Sequence, residues 1–203
     1  MQTVKTKVKD PDLIRKKQQQ IVKGAIKVFR NKGFHAASIR EIARACSMSL
    51  GSLYDYIEKK EDILFLVHNE VLDQLYERIE TMAAQYDHPV DQLIHILRGL
   101  FDLTCRLKDE MLFIYTETKS LEKPYLKEIL RRGSEFVAKY RELIERGVQQ
   151  GVFKCDNPDL VANILIFSGS LIPLRGWNIL PHHSEEAVFE ALRSMALKML
   201  NVE

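Results

Sequence analysis

The sequence predicts an all-α protein, with a small N-terminal three-helix module followed by a larger helical domain. Three observations predict it. Apolar residues recur every three or four positions along most of the 203 residues, while runs of alternating β-branched residues are missing. The 9 Gly and 6 Pro are few and scattered, and 46% hydrophobic against 29% charged residues describes a globular chain. Charge is uneven: residues 1–60 hold 14 Lys/Arg against 5 Asp/Glu, and residues 61–203 hold 16 against 23. A basic first third on an acidic remainder is the footprint of a polyanion reader with a second domain attached.

The elements follow in order. Residues 1–11 read as a flexible basic arm, whose Lys5, Lys7 and Lys9 form either a groove or phosphate contact or a solvated tail. A helix over 12–32 carries the stripe Ile21, Ala25 and Phe29 with Val22 and Ile26, and Gly33 suits the left-handed position that ends it. Ser38-Ile39-Arg40-Glu41 is a capping box opening a helix to Cys46. Ser47-Met48 turns the chain, and Ser49 caps a third helix over 50–56. Glu61-Asp62 start a fourth helix that runs to about Tyr86, with acidic residues at the positive end of its dipole. Further helices are expected over 89–106, 109–119, 123–150, 157–176 and 184–201. The expected division is 12–60 for the three-helix module and 61–203 for the larger domain.

Two short helices, a tight turn and excess positive charge are the parts of a helix-turn-helix. In its second helix, Ser49-Leu50-Gly51-Ser52 has small side chains that let the backbone approach a groove and leave amides for phosphate oxygens. Tyr54 and Tyr56 offer hydroxyls to flanking phosphates, and Lys60 offers an ammonium.

The stretch from Ile21 to Leu64 resembles the DNA-binding domain of the TetR family of bacterial regulators. The matching features are Ala25 and Phe29, Gly33-Phe34, Ser38 with Ile42-Ala43, Leu53-Tyr54 with Tyr56, and Lys60-Glu61 with Leu64. The resemblance implies a homodimeric transcriptional repressor with a C-terminal ligand-binding and dimerisation domain, acting on a palindromic operator in the cytoplasm. It implies DNA contacts by Ser38, Arg40, Ser49, Gly51, Ser52, Tyr54, Tyr56 and Lys60. Arg40 keeps a second reading as half of a surface ion pair. Cys46-Ser47 depart from the family's Ala-Gly, and Ser at a left-handed turn position costs about 1 kcal/mol relative to Gly. Leu50 adds no hydrogen bond, leaving thymine methyls as its contact.

Leu160, Ile164, Phe167 and Leu171, and then Val188, Leu192, Met195 and Met199, form apolar rows on the last two expected helices. These rows read as a dimer interface, or as intramolecular core; family dimerisation and the need for two copies on a palindrome favour the first. Phe101, Cys105, Met111, Phe113, Tyr115 and Trp177 are candidates to line an apolar effector cavity, with Arg98, Glu117, Lys119 and Arg175 for a polar head group. The segments 115–119 and 175–177 resemble family members that respond to acyl-CoA thioesters, which implies a lipophilic acyl or aromatic effector. A non-sensing, constitutive DNA-binding protein is the alternative; the long acidic remainder argues against it.

No phosphate loop, nucleophile elbow or metal-binding pair points to an enzyme, a cofactor or a metal. Cys46, Cys105 and Cys155 are isolated and show no disulfide or redox spacing. The longest uncharged run, Leu160 to Leu174, is 15 residues, short of the ~20 a membrane span needs.

Overall fold

The computed structural model describes residues 3–202. Among them are ten α-helices, one 3-10 turn and no strand. Among the described residues no single helix is long and apolar enough to cross a membrane. The chain forms two compact units, Met1–Leu72 with Asp109–Arg131, and Asp73–Lys108 with Arg132–Glu203.

The first unit opens with α1 (Pro11–Ala36). Asp10 caps it, accepting the amides of Asp12 and Leu13, with Pro11 preset for the first turn. The stripe Ile21, Val22, Ala25 and Phe29 is buried as expected. Gly33, at φ 76°, breaks the helix near its end. α2 (Ile39–Ala45) begins with the full capping box: the Glu41 amide donates to the Ser38 hydroxyl, and the Ser38 amide to the Glu41 carboxylate. α1 and α2 cross closely at Gly24, where a Cβ would lie 2.4 Å from Cys46 Sγ and 2.8 Å from its amide nitrogen. α3 (Leu50–Leu53) is one turn, shorter than the helix expected over 50–56, because 54–56 close as turns. α4 (Lys60–Ala83) follows, then α6 (Lys108–Glu117), the 3-10 turn Thr118–Ser120 and α7 (Lys123–Gln149), whose Tyr125 and Ile129 join the same core. This unit therefore extends beyond residue 60 and takes in chain from after residue 108.

The second unit holds α5 (Pro89–Arg106), α8 (Pro158–Ser168), α9 (Leu171–Ile179), α10 (Glu185–Met199) and the later turns of α4 and α7. The single helix expected over 157–176 is broken, with α8 and α9 bent by 50°. Pro173 has no N–H for the Gly169 carbonyl, which instead accepts the Thr104 hydroxyl at 2.8 Å. Asn157 and Ser184 cap α8 and α10. Arg98 of α5 pairs with Glu186 of α10 at 2.7 Å and lies over the Phe189 ring.

Candidate nucleic-acid interface and sensor

The turn between α2 and α3 is built as the helix-turn-helix reading requires. Ser47 sits at φ 54°, in the left-handed region, and the Met48 amide closes the turn on the Ala43 carbonyl at 2.9 Å. Ser49 caps α3 by accepting the Ser52 amide at 3.0 Å. Leu53 is fully buried and Leu50 packs partly against the core, so Leu50 is less available for a base contact than its sequence position suggested. The opposite face of α3 presents Ser49, Gly51 and Ser52. A Cβ at Gly51 would meet nothing within 4 Å, so no contact within the described chain requires glycine there.

The basic arm is docked, in place of the flexible tail expected over 1–11. Val4 is buried, and the Lys7 amide donates to the Asp55 carbonyl just beyond α3 at 2.9 Å. Met1 and Gln2 lie outside the described residues. This anchor brings Lys5 and Lys7 beside the end of α3; the one sequence signal for it was apolar Val4 among lysines.

Arg40 is exposed and has no ion pair among the described residues. Ser38 is exposed, with its hydroxyl donating to Glu41 at 2.8 Å. The Lys32 ammonium, together with Ser38, holds the Glu41 carboxyl down at about 2. Tyr54 is half-buried, and Tyr56 is buried in the core.

Lys60 is a correction. Its ammonium donates to the carbonyls of Phe34 (2.9 Å), His35 (3.0 Å) and Ala37 (3.0 Å). An ammonium has three N–H donors, and all three close the carboxyl end of α1, so none is left for a phosphate. The family's Lys-Glu step acts here as a helix cap.

The six apolar sensor candidates are divided between the two units, Phe101, Cys105 and Trp177 in the second and Met111, Phe113 and Tyr115 in the first. Phe101 is buried with Ile172, Val188 and Phe189, and Cys105 packs on that cluster. Burial pushes the Cys105 thiol up to about 12, so it behaves as an apolar group. Phe113 belongs to the other unit, stacked on Phe29 at 5.0 Å between centroids. Tyr115 is exposed, and so is Trp177, at 73%, with Arg175 over its ring. Periodicity cannot tell such positions apart, because an aromatic on one helix face has the same spacing whether it meets core or solvent.

Within the second unit a cavity of about 320 Å³ is lined by Gln74, Glu77, Arg78 and Thr81 of α4 and by Leu103 and Arg106 of α5. The sequence analysis missed these residues. Their signal is the polar i, i+3, i+4, i+7 row from Gln74 to Thr81.

Of the expected interface, Leu160, Ile164 and Phe167 form an exposed apolar row on α8, with Phe167 at 62%. Leu171, Leu192, Met195 and Met199 are half-buried. Val188 is a correction: it is buried against Phe101, Ile172 and Phe189 of its own chain.

Comparison with known proteins gives a consistent picture. Residues 21–67 match the family described as bacterial regulatory proteins, tetR family, and residues 86–174 match the tetracyclin repressor-like C-terminal domain. The HTH-type transcriptional regulator HbdR of Aromatoleum sp. (strain CIB) is 34% identical over 120 residues, 59% of this chain and 52% of HbdR. This chain thus aligns with about half the length of that relative. A tetR-family regulatory protein from Rhodococcus RHA1 has the same fold, with a TM-score of 0.80 at 20% identity over 91% of this chain and 97% of that one. AibR, solved with isovaleryl coenzyme A and operator DNA, gives 0.75 at 23% identity over 92% of this chain and 100% of its own.

Proposed function

Since the chain belongs to the TetR family of bacterial transcriptional regulators, we propose that it is a homodimeric repressor, released from a palindromic operator by a small lipophilic effector such as an acyl-coenzyme A. The observation that carries the reading is the α2–α3 pair: a closed left-handed turn at Ser47, a capped α3, and Ser49, Gly51 and Ser52 on the face away from the core. Small side chains there let backbone amides approach phosphates, while Arg40 reaches a base or phosphate from the first turn of α2. Ser38 and Tyr54 add phosphate contacts, and the docked Lys5 and Lys7 flank α3. Most of these contacts fix register; few specify sequence.

The dimer forms through the α8 row of Leu160, Ile164 and Phe167, joined by Leu171 and by Leu192, Met195 and Met199. An exposed row of large apolar side chains is what an interface core needs. The DNA-binding head and the sensor share α4, which starts at Lys60 and ends at Ala83. Effector binding selects a position of α4 that alters the spacing of the two heads, and it shifts the equilibrium only by its differential affinity for the two states. The acyl-coenzyme A class is supported by AibR, whose fold this chain shares. The protein acts in the cytoplasm, where its operator lies.

The test is titration of isovaleryl-, longer acyl- and aromatic acyl-coenzyme A into a preformed operator complex, followed by anisotropy. Release by one class supports the reading. Tight selective DNA binding that no thioester relieves would leave a constitutive regulator instead.

A further inference from the structure

The cavity between α4 and α5 is polar on five of its six sides: Gln74, Glu77, Arg78, Thr81 and Arg106 surround the single apolar residue Leu103. Such a lining does not suit an acyl chain. It holds two guanidiniums against one carboxylate.

Those two guanidiniums stand apart from the other arginines of the second unit. Arg98 pairs with Asp102 and Glu186, Arg132 with Asp73, Arg141 with Glu145 and Asp159, and Arg193 with Glu190. Arg146 donates to Gln92, and Arg175 lies over Trp177. Arg78 and Arg106 have no hydrogen-bond or ion-pair partner among the described residues. Among the arginines of the second unit, the two without a hydrogen-bond, ion-pair or ring partner among the described residues are the two that line the cavity.

Arg78 is also set in place by its neighbour. A Cβ at Gly99 would fall 2.9 Å from Arg78 Cδ and 3.1 Å from Met82 Cγ. Glycine at 99 therefore lets the Arg78 stem lie against α5. Gly99, Leu103 and Arg106 follow at i, i+4 and i+7, so they share the α5 face that closes the cavity.

We infer that this cavity is the binding site for a phosphate-type oxyanion, held between Arg78 of α4 and Arg106 of α5; the Thr81 hydroxyl donates to the Glu77 carbonyl at 2.7 Å and lines the site without donating to the anion. Guanidinium forks match phosphate oxygens in a bidentate way. Two guanidiniums against one carboxylate leave the site net positive, so it attracts an anion more strongly the higher its charge, and Glu77 weakens that attraction. The volume suits a phosphate or pyrophosphate group and leaves the acyl part of any effector to bind elsewhere. An anion seated here ties α4 to α5, which gives the effector a purchase on the helix that leads back to the DNA-binding head. The assignment rests on the ligand-responsive reading above. The oxyanion is either part of the effector, as in a coenzyme A thioester, or a free phosphate species.

The test is isothermal titration of the full-length protein with pyrophosphate, with coenzyme A, and with an N-acetylcysteamine thioester that has an acyl group but no phosphate. Wild type, Arg78→Gln, Arg106→Gln, Glu77→Gln and Gly99→Ala are compared. Each arginine variant is expected to weaken coenzyme A and pyrophosphate by about tenfold or more. Gly99→Ala weakens both by displacing Arg78, and Glu77→Gln tightens both. The phosphate-free thioester binds all variants alike. Coenzyme A binding well above pyrophosphate identifies the effector as the source of the anion; equal binding identifies a free phosphate species. Operator affinity without ligand and far-UV circular dichroism stay at wild-type values, which separates loss of the site from loss of fold. Arginine variants that bind coenzyme A and pyrophosphate with the wild-type Kd overturn the site, as does a wild-type protein that binds neither. Failure of operator binding by the wild-type protein would instead overturn the regulator reading, whatever the anion titration shows.

Discussion

The Tyr125 hydroxyl of α7 donates to the Asp62 carboxylate at the start of α4 at 2.6 Å. Asp62 is buried, and its other oxygen accepts the amides of Glu58 and Lys59 at 2.7 and 3.0 Å. This carboxylate closes the amino end of α4 from inside the first turn, and Tyr125 completes it while its ring stacks on Phe65 at 4.2 Å. Tyr125→Phe keeps the stacking and removes one hydrogen bond to a charged acceptor. The expected loss is about 1.5–3 kcal/mol by urea denaturation. A loss below about 0.5 kcal/mol would show that the bond adds nothing beyond solvation.

Ser47 holds a left-handed backbone without being glycine. Ser47→Gly is expected to stabilise the protein by about 1 kcal/mol by relieving that strain, with operator affinity unchanged. Destabilisation instead would mean that glycine's extra freedom in the unfolded chain outweighs the strain.

Salt dependence separates the two kinds of basic residue. Lys60→Met removes the cap on α1 and is expected to cost about 1–2 kcal/mol of stability without changing the slope of log affinity against log salt. Arg40→Ala is expected to lower that slope by about 0.9, one phosphate contact, at unchanged stability. A slope change in Lys60→Met matching that of Arg40→Ala would put its ammonium on DNA after all.

His68 is buried, with its Nδ1–H donating to the Leu64 carbonyl at 2.9 Å and its Nε2 3.1 Å from the Thr118 hydroxyl. Burial pushes its pKa below the ordinary 6.5. The unfolded chain then takes up a proton that the folded one refuses. Stability is full above pH 6.5 and falls as pH drops through that value, by up to about 1.4 kcal/mol per pH unit. Thermal midpoints between pH 8 and 5.5 should fall in the wild type and stay nearly level in His68→Gln. Equal slopes in both would assign the acid limb to other groups.

The first three helices were legible because local chemistry fixes them: the Ser38/Glu41 box, Ser49 as a cap and Gly33 as a break depend on residues within a few positions of each other. The α8–α9 bend was not, because it depends on Thr104, 65 residues away, taking the carbonyl that Pro173 leaves open. The role of Lys60 was misread for the same reason: its three partners lie 23 to 26 residues upstream, and nothing local shows that its donors are occupied. The sensor was the least legible part. Phe113 and Phe101 have the same helical spacing, yet they pack in different units. The polar cavity has no aromatic residue in its lining, so an aromatic pattern does not point to it.

The most direct measurement is fluorescence anisotropy of the full-length protein against a library of palindromic duplexes and their isolated half-sites at fixed salt. Tight, salt-sensitive binding to one palindrome is expected. It should be much weaker on the half-site, weaker again in a Phe167→Glu variant that splits the α8 row, and abolished by Gly51→Glu on the open face of α3. Weak binding of similar strength to every duplex, indifferent to the change at Gly51, would contradict the assignment of the α2–α3 face as a sequence reader and of the chain as an operator-specific repressor.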